Sequence, residues 1–224
     1  MPQPSRTKNR DNAGSKAPAE AKLRSTRDLL LDAAESAFAA HGFHGVPLRL
    51  VANRAGQKLG TLSYHFKTKD DLFRAVVARR AEVLFGELAA ILSAEENPGI
   101  ELLVDAFLRP FVDRIEEGDP GWRHYPRILA EISQDPDWGE LVDDLFGEAG
   151  RAYIVLIQKA VPGLSHDNAV RGYAHMLAGM FGFFSTAGLI DRLSGGSLRG
   201  TALRENLPDF VRFVVGGIRA LAEQ

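Results

Sequence analysis

Between Val46 and Leu72 the chain reads VPLRLVANRAGQKLGTLSYHFKTKDDL, and this stretch holds the side chains best suited to meeting a polyanion. Lys58 can donate to guanine acceptors, Thr61 and Ser63 can donate or accept at several base edges, and Leu59 can touch a thymine methyl. Tyr64 and Lys69 suit phosphate oxygens, a grip that positions without reading sequence. The positive N-terminal end of a helix opening near Lys69, and donors around Pro47 and Arg49, would strengthen that grip. Gly60 would let the backbone approach a duplex closely. His65 fits either that surface or packing against the next helix, and Tyr64 alone would also fit a core aromatic with a wet hydroxyl. Each of the others alone fits a solvated helix face; the constellation in this order is what points to DNA.

These residues need elements to hold them. Leu29, Leu30, Ala33, Ala34, Ala37 and Phe38 recur on one helical face, with Ser25 and Asp28 at capping-box spacing in front. Gly42 ends that helix near His41. Pro47 fits the first turn of a second short helix reaching about Ala55, where proline loses no helical hydrogen bond. Gly56 breaks it, a third helix runs from about Lys58 to Phe66, and Thr68 with Asp71 opens a fourth that reaches about Leu92. Ala52 is small where the second and third helices must cross, and Val51, Ala55 and Leu62 give them an apolar inner face. Gln57 is the polar exception, whose amide needs a backbone partner or a place at the edge. Two short helices joined by a glycine turn on an amphipathic support form a helix-turn-helix, its second helix sized for a major groove about 12 Å wide.

Residues 25–75 resemble the DNA-binding domain of the TetR family of bacterial transcriptional regulators. The resemblance is carried by Gly42-Phe43, Arg49, Val51-Ala52, Ala55-Gly56, Gly60-Thr61-Leu62, Tyr64-His65-Phe66, Lys69 and Leu72-Phe73, most specifically by GTLSYHFKTKDDLF. The chain departs from the family pattern at Val46-Pro47, where a Thr/Ser cap is usual, at Gln57-Lys58-Leu59, and at Ser63, where an aromatic residue often stands. These departures bear on base preference. The resemblance implies a homodimer joined through its last two helices, a near-palindromic double-stranded DNA operator, a small effector held in the C-terminal body, and repression as the usual mode.

Charge follows the same division. The 224 residues carry a net charge of −2, yet residues 1–75 hold 13 Lys/Arg against 7 Asp/Glu, while the remainder is acidic. A basic head on an acidic body suits a polyanionic partner at one end. Residues 1–23, rich in Pro, Ser, Asn and Ala with scattered Lys and Arg, read as a disordered basic arm, either attracted to phosphates or inert. The helix-turn-helix domain is placed at 24–72 and an effector-binding and dimerisation domain at 73–224.

Beyond Leu92, Pro and Gly punctuation separates helices at approximately 99–117, 121–134, 139–161, 166–193 and 203–222. No run alternates with period two, so the expectation is an all-α chain of about nine helices. The body concentrates large apolar residues: Phe107, Phe111, Trp122, Tyr125, Leu129, Phe146, Tyr153, Met176, Met180 and Phe183. Within the effector pocket that the resemblance implies, such a lining suits a small apolar or aromatic ligand; the alternative for each residue is plain core. Small residues such as Gly172, Gly179 and Gly182, with Phe210, Phe213, Val214 and Ile218, suit either a four-helix dimer interface or close packing within one chain.

Rival functions find little support in the residues. There is no Cys, H-E-x-x-H, GxSxG or Walker loop, and the six His are scattered, so the expectation is no enzyme, no metal and no cofactor. No apolar run approaches a membrane span and no secretory signal is visible, which makes the cytoplasm the expected compartment. A helical protein-interaction module or an all-α enzyme without DNA binding stands as the alternative.

Overall fold

The computed structural model describes residues 25–185 and 187–223. The expected basic arm at 1–23 lies outside them. Helix α1 (Thr26–His41) begins with a reciprocal capping box between Ser25 and Asp28, and α4 (Lys69–Leu92) begins with another between Thr68 and Asp71. Each box satisfies two otherwise orphan amides, which fixes where these helices start. Between them lie α2 (Leu48–Arg54) and α3 (Leu59–His65). Pro47 is the N-cap of α2, one residue ahead of the expected first-turn position. Gly42 and Gly56 adopt positive φ, which carries the chain out of α1 and between α2 and α3.

The body contains α5 (Ile100–Glu116), α6 (Pro120–Gln134), a single 3-10 turn (Pro136–Trp138), α7 (Gly139–Val142), α8 (Glu148–Ala160), α9 (His166–Ser185), α10 (Ala187–Leu193) and α11 (Leu203–Ala220). No strand occurs among the described residues, so the all-helical expectation holds. The rod expected at 139–161 is interrupted by a π-helical turn, Asp143–Gly147, joining α7 to α8. Such turns insert one extra residue into the helical repeat, which an even apolar period cannot announce.

Helix α1 packs on α2, α4 and α6, α4 also on α5 and α6, and α11 on α5 and α9. One continuous cluster of buried residues runs from Leu30 and Phe38 through Phe73 and Tyr125 to Met176 and Ile218. Long helix α4 belongs to both regions and crosses the expected boundary at residue 72. No described helix is long and apolar enough to cross a membrane.

Candidate nucleic-acid interface and effector cavity

Leu62 and Phe66 are buried under α3 and Val51 and Ala52 under α2, which forces the opposite face of α3 outward. Lys58, Leu59, Gly60, Ser63 and Tyr64 are all exposed on that face, and Thr61 and His65 are half-buried beside it. Tyr64 is 84% exposed and Leu59 46%, so both side chains stand where an approaching surface would meet them. Nothing stands within 4 Å of where a Gly60 side chain would begin, so the backbone there is open to an approaching surface. Pro47 and Arg49 are exposed at the start of α2. His65 stacks edge-on against Tyr64, 5.3 Å between ring centres.

Lys69 has an additional occupation. Its ammonium lies 4.5 Å from the centre of the Phe43 ring and donates to the His44 carbonyl at 3.3 Å. Burial lowers its pKa, opposed by the charge of Asp70. It therefore ties the start of α4 to the α1–α2 loop while its remaining N–H bonds stay available.

That loop is also held from the body. The Phe43 N–H donates to Glu131 Oε1 of α6 at 2.8 Å, and the Trp138 ring meets Phe43 and Phe73 at 4.7 and 4.6 Å. At the other end of α6, Arg80 of α4 forks onto Glu35 of α1 through Nε and Nη2 at 2.5 and 2.7 Å and reaches Asp119 at 3.2 Å. Arg79 joins Asp32 and Glu35 at 2.7 and 3.0 Å. Glu35 is 1% exposed and Arg80 7%, so this is a desolvated ionic network with its hydrogen bonds made. Burial opposes the charge on Arg80, and the Glu35 contact more than restores it, leaving its pKa raised.

Within the body a cavity of about 120 Å³ is lined by side chains of α4, α5, α6, α8 and α9. Six of the ten candidate ligand residues face it: Phe107, Phe111, Leu129, Phe146, Tyr153 and Met180. The other four lie elsewhere. Trp122 sits under the Arg80 guanidinium at 4.5 Å, Tyr125 donates to the Val77 carbonyl at 2.9 Å, Met176 is buried, and Phe183 packs on Phe210 at 4.9 Å. Tyr173, not singled out from the sequence, also lines the cavity, as do Val142 and Phe146 on either side of the π turn's start. Among the described residues no group of three acidic or histidine side chains could hold a metal.

An outward-facing short helix after a glycine turn, braced by a long helix shared with a hollow helical body, defines a helix-turn-helix regulatory protein. Residues 30–76 match the model described as "Bacterial regulatory proteins, tetR family", and residues 105–217 match "Tetracyclin repressor-like, C-terminal domain". The second match alone takes in half of the chain, and the chain belongs to the TetR family of regulatory proteins, which are not enzymes. It is 34% identical over 137 residues to the HTH-type transcriptional repressor KstR2 of Mycolicibacterium smegmatis, covering 61% of this chain and 65% of that protein. The matched part is thus just under two thirds of that relative's length. It is 29% identical over 138 residues to the HTH-type transcriptional repressor AcnR of Corynebacterium diphtheriae, covering 53% of this chain and 70% of that one. The fold resembles that of the fatty acid degradation regulator FadR from Bacillus halodurans, with a TM-score of 0.59 at 13% identity over 85% of this chain and 96% of that one.

Proposed function

We propose that this chain is a ligand-responsive transcriptional repressor that binds a near-palindromic operator as a homodimer and is released by a small apolar or aromatic effector. The observation that carries the DNA-binding part is the exposed face of α3, where Lys58, Leu59, Gly60, Ser63 and Tyr64 stand clear of a buried Leu62. Lys58, Leu59, Thr61 and Ser63 would meet base edges, while Tyr64, His65, Lys69, Pro47 and Arg49 would bear on phosphates. A cytoplasmic address follows from that partner.

Two further observations support the rest. Phe213 is 77% exposed on α11 beside exposed Gly216 and Gly217, with Val170, Leu189 and Leu193 exposed on α9 and α10. A second copy covering these residues would form a symmetric interface and space two α3 helices for successive turns of DNA. The cavity is built from α4, whose first residue is Lys69, so an effector there would bias the arrangement of the heads by its differential affinity for the two states.

A gel-shift titration on the DNA flanking the protein's own gene, repeated at rising salt, tests the reading. Specific binding that weakens steeply with salt is the expected result. No binding at low salt would overturn it in favour of a helical protein-interaction module.

A further inference from the structure

The walls of the body cavity carry no charged side chain, and its lining side chains bear hydroxyls at Ser133, Tyr153 and Tyr173. Two of the three are committed. Ser133 donates to the Ala130 carbonyl at 3.0 Å, and Tyr153 donates to the Leu103 carbonyl. The Tyr173 hydroxyl has no hydrogen-bond partner among the described residues, and it is not sealed in protein. Its ring is held against Tyr153 and Phe107, at 5.8 and 6.2 Å between centres. Room for it comes from Gly150, since a side-chain carbon built there would stand 3.3 Å from the hydroxyl oxygen. Burial pushes the Tyr173 pKa up to about 12, so the proton stays in place at any ordinary pH.

A phenol is a better donor than acceptor, and a donor that no protein group engages, on a residue lining an otherwise apolar space, is free to trade water for an acceptor carried by a ligand. An ion entering the same space would leave water without finding a counter-charge on the walls. The volume, about 120 Å³, is comparable to cavities of roughly 150 Å³ that hold one benzene-sized ring. We infer that the cavity selects a small uncharged ligand whose apolar body carries one hydrogen-bond acceptor, and that Tyr173 is the specificity residue donating to it. The inference rests on the reading of this cavity as the effector site and adds what the effector must carry.

The test uses the full chain without DNA and probes of similar size: cyclohexanone, methylcyclohexane, cyclohexylammonium and cyclopentanecarboxylate. Dissociation constants are measured by NMR titration for wild type, Tyr173→Phe and Tyr153→Phe, with thermal unfolding of each variant as a folding control. Tyr173→Phe is expected to weaken cyclohexanone roughly 3- to 10-fold while leaving methylcyclohexane within about twofold. Tyr153→Phe should leave the ratio of the two unchanged, because its hydroxyl already serves Leu103. Both ions should bind wild type at least about tenfold more weakly than the ketone. Equal loss of both ring probes in Tyr173→Phe, no loss of the ketone, failure of either ring probe to bind wild type, or ions binding as well as the ketone would overturn the assignment. A companion gel shift on the operator with cyclohexanone present separates the two readings: a Tyr173-dependent ketone preference that leaves operator binding untouched would sink the effector reading and spare the ligand chemistry assigned to the cavity.

Discussion

At the scale of single residues, the exposed face of α3 divides into side chains that would read bases and side chains that would only hold the duplex. Tyr64→Phe removes one donor from a side chain that is otherwise open to solvent, and should weaken binding to all operator variants alike, by roughly 3- to 10-fold. Lys58→Ala and Thr61→Ala should instead change the ranking of variants in a competition series. Equal loss across the series for all of these would refute the division. Lys69 is different in kind, because it also caps the His44 carbonyl and covers the Phe43 ring. Lys69→Ala should therefore lose affinity for every duplex and also about 1 kcal/mol of stability in urea unfolding, whereas Tyr64→Phe should unfold like wild type.

At the scale of elements, α1, α4 and α6 are clamped at one end by Glu35, Arg80 and Asp119 and at the other by Glu131, Phe43 and Trp138. Glu35→Ala would leave the Arg80 guanidinium buried beside a hole, and should cost about 3–5 kcal/mol in chemical unfolding. Glu35→Leu combined with Arg80→Met should lie closer to wild type than either single change, since neither charge is then left unpaired; a double variant as weak as the sum would contradict this. Much of the frame of these elements was legible in the sequence. Ser25 with Asp28 and Thr68 with Asp71 announce the starts of α1 and α4 because a capping box is a local device, readable from spacing alone. The clamps were not legible, because Glu35 and Arg80 are 45 positions apart and nothing local pairs them. The π turn at Asp143–Gly147 escapes the sequence for the opposite reason: it is local, but its extra residue leaves the apolar pattern intact on both sides. Six cavity aromatics and aliphatics stood out by size, whereas Tyr173 lies in a helix rich in small residues and shows its free hydroxyl only once Tyr153 and Gly150 are in place.

At the scale of the whole molecule, head and body share one buried cluster, and α4 runs through both. The outer surface of α9 to α11 is where a second copy would attach, and Phe213 is its most exposed large apolar side chain on α11. Phe213→Asp should shift the protein toward monomer in sedimentation and abolish high-affinity operator binding while leaving thermal unfolding of the monomer nearly unchanged. A dimer that persists in this variant would move the interface elsewhere. Trp138 carries a consequence for anyone recombining such proteins. It belongs by sequence to the trunk, yet its indole completes the ring cluster of Phe38, Phe43 and Phe73 under the reading helices. A chimera grafting residues 25–76 onto a foreign trunk would inherit a socket without its plug, so such hybrids should tolerate heat poorly unless the graft also brings the indole and the Glu131 carboxylate along.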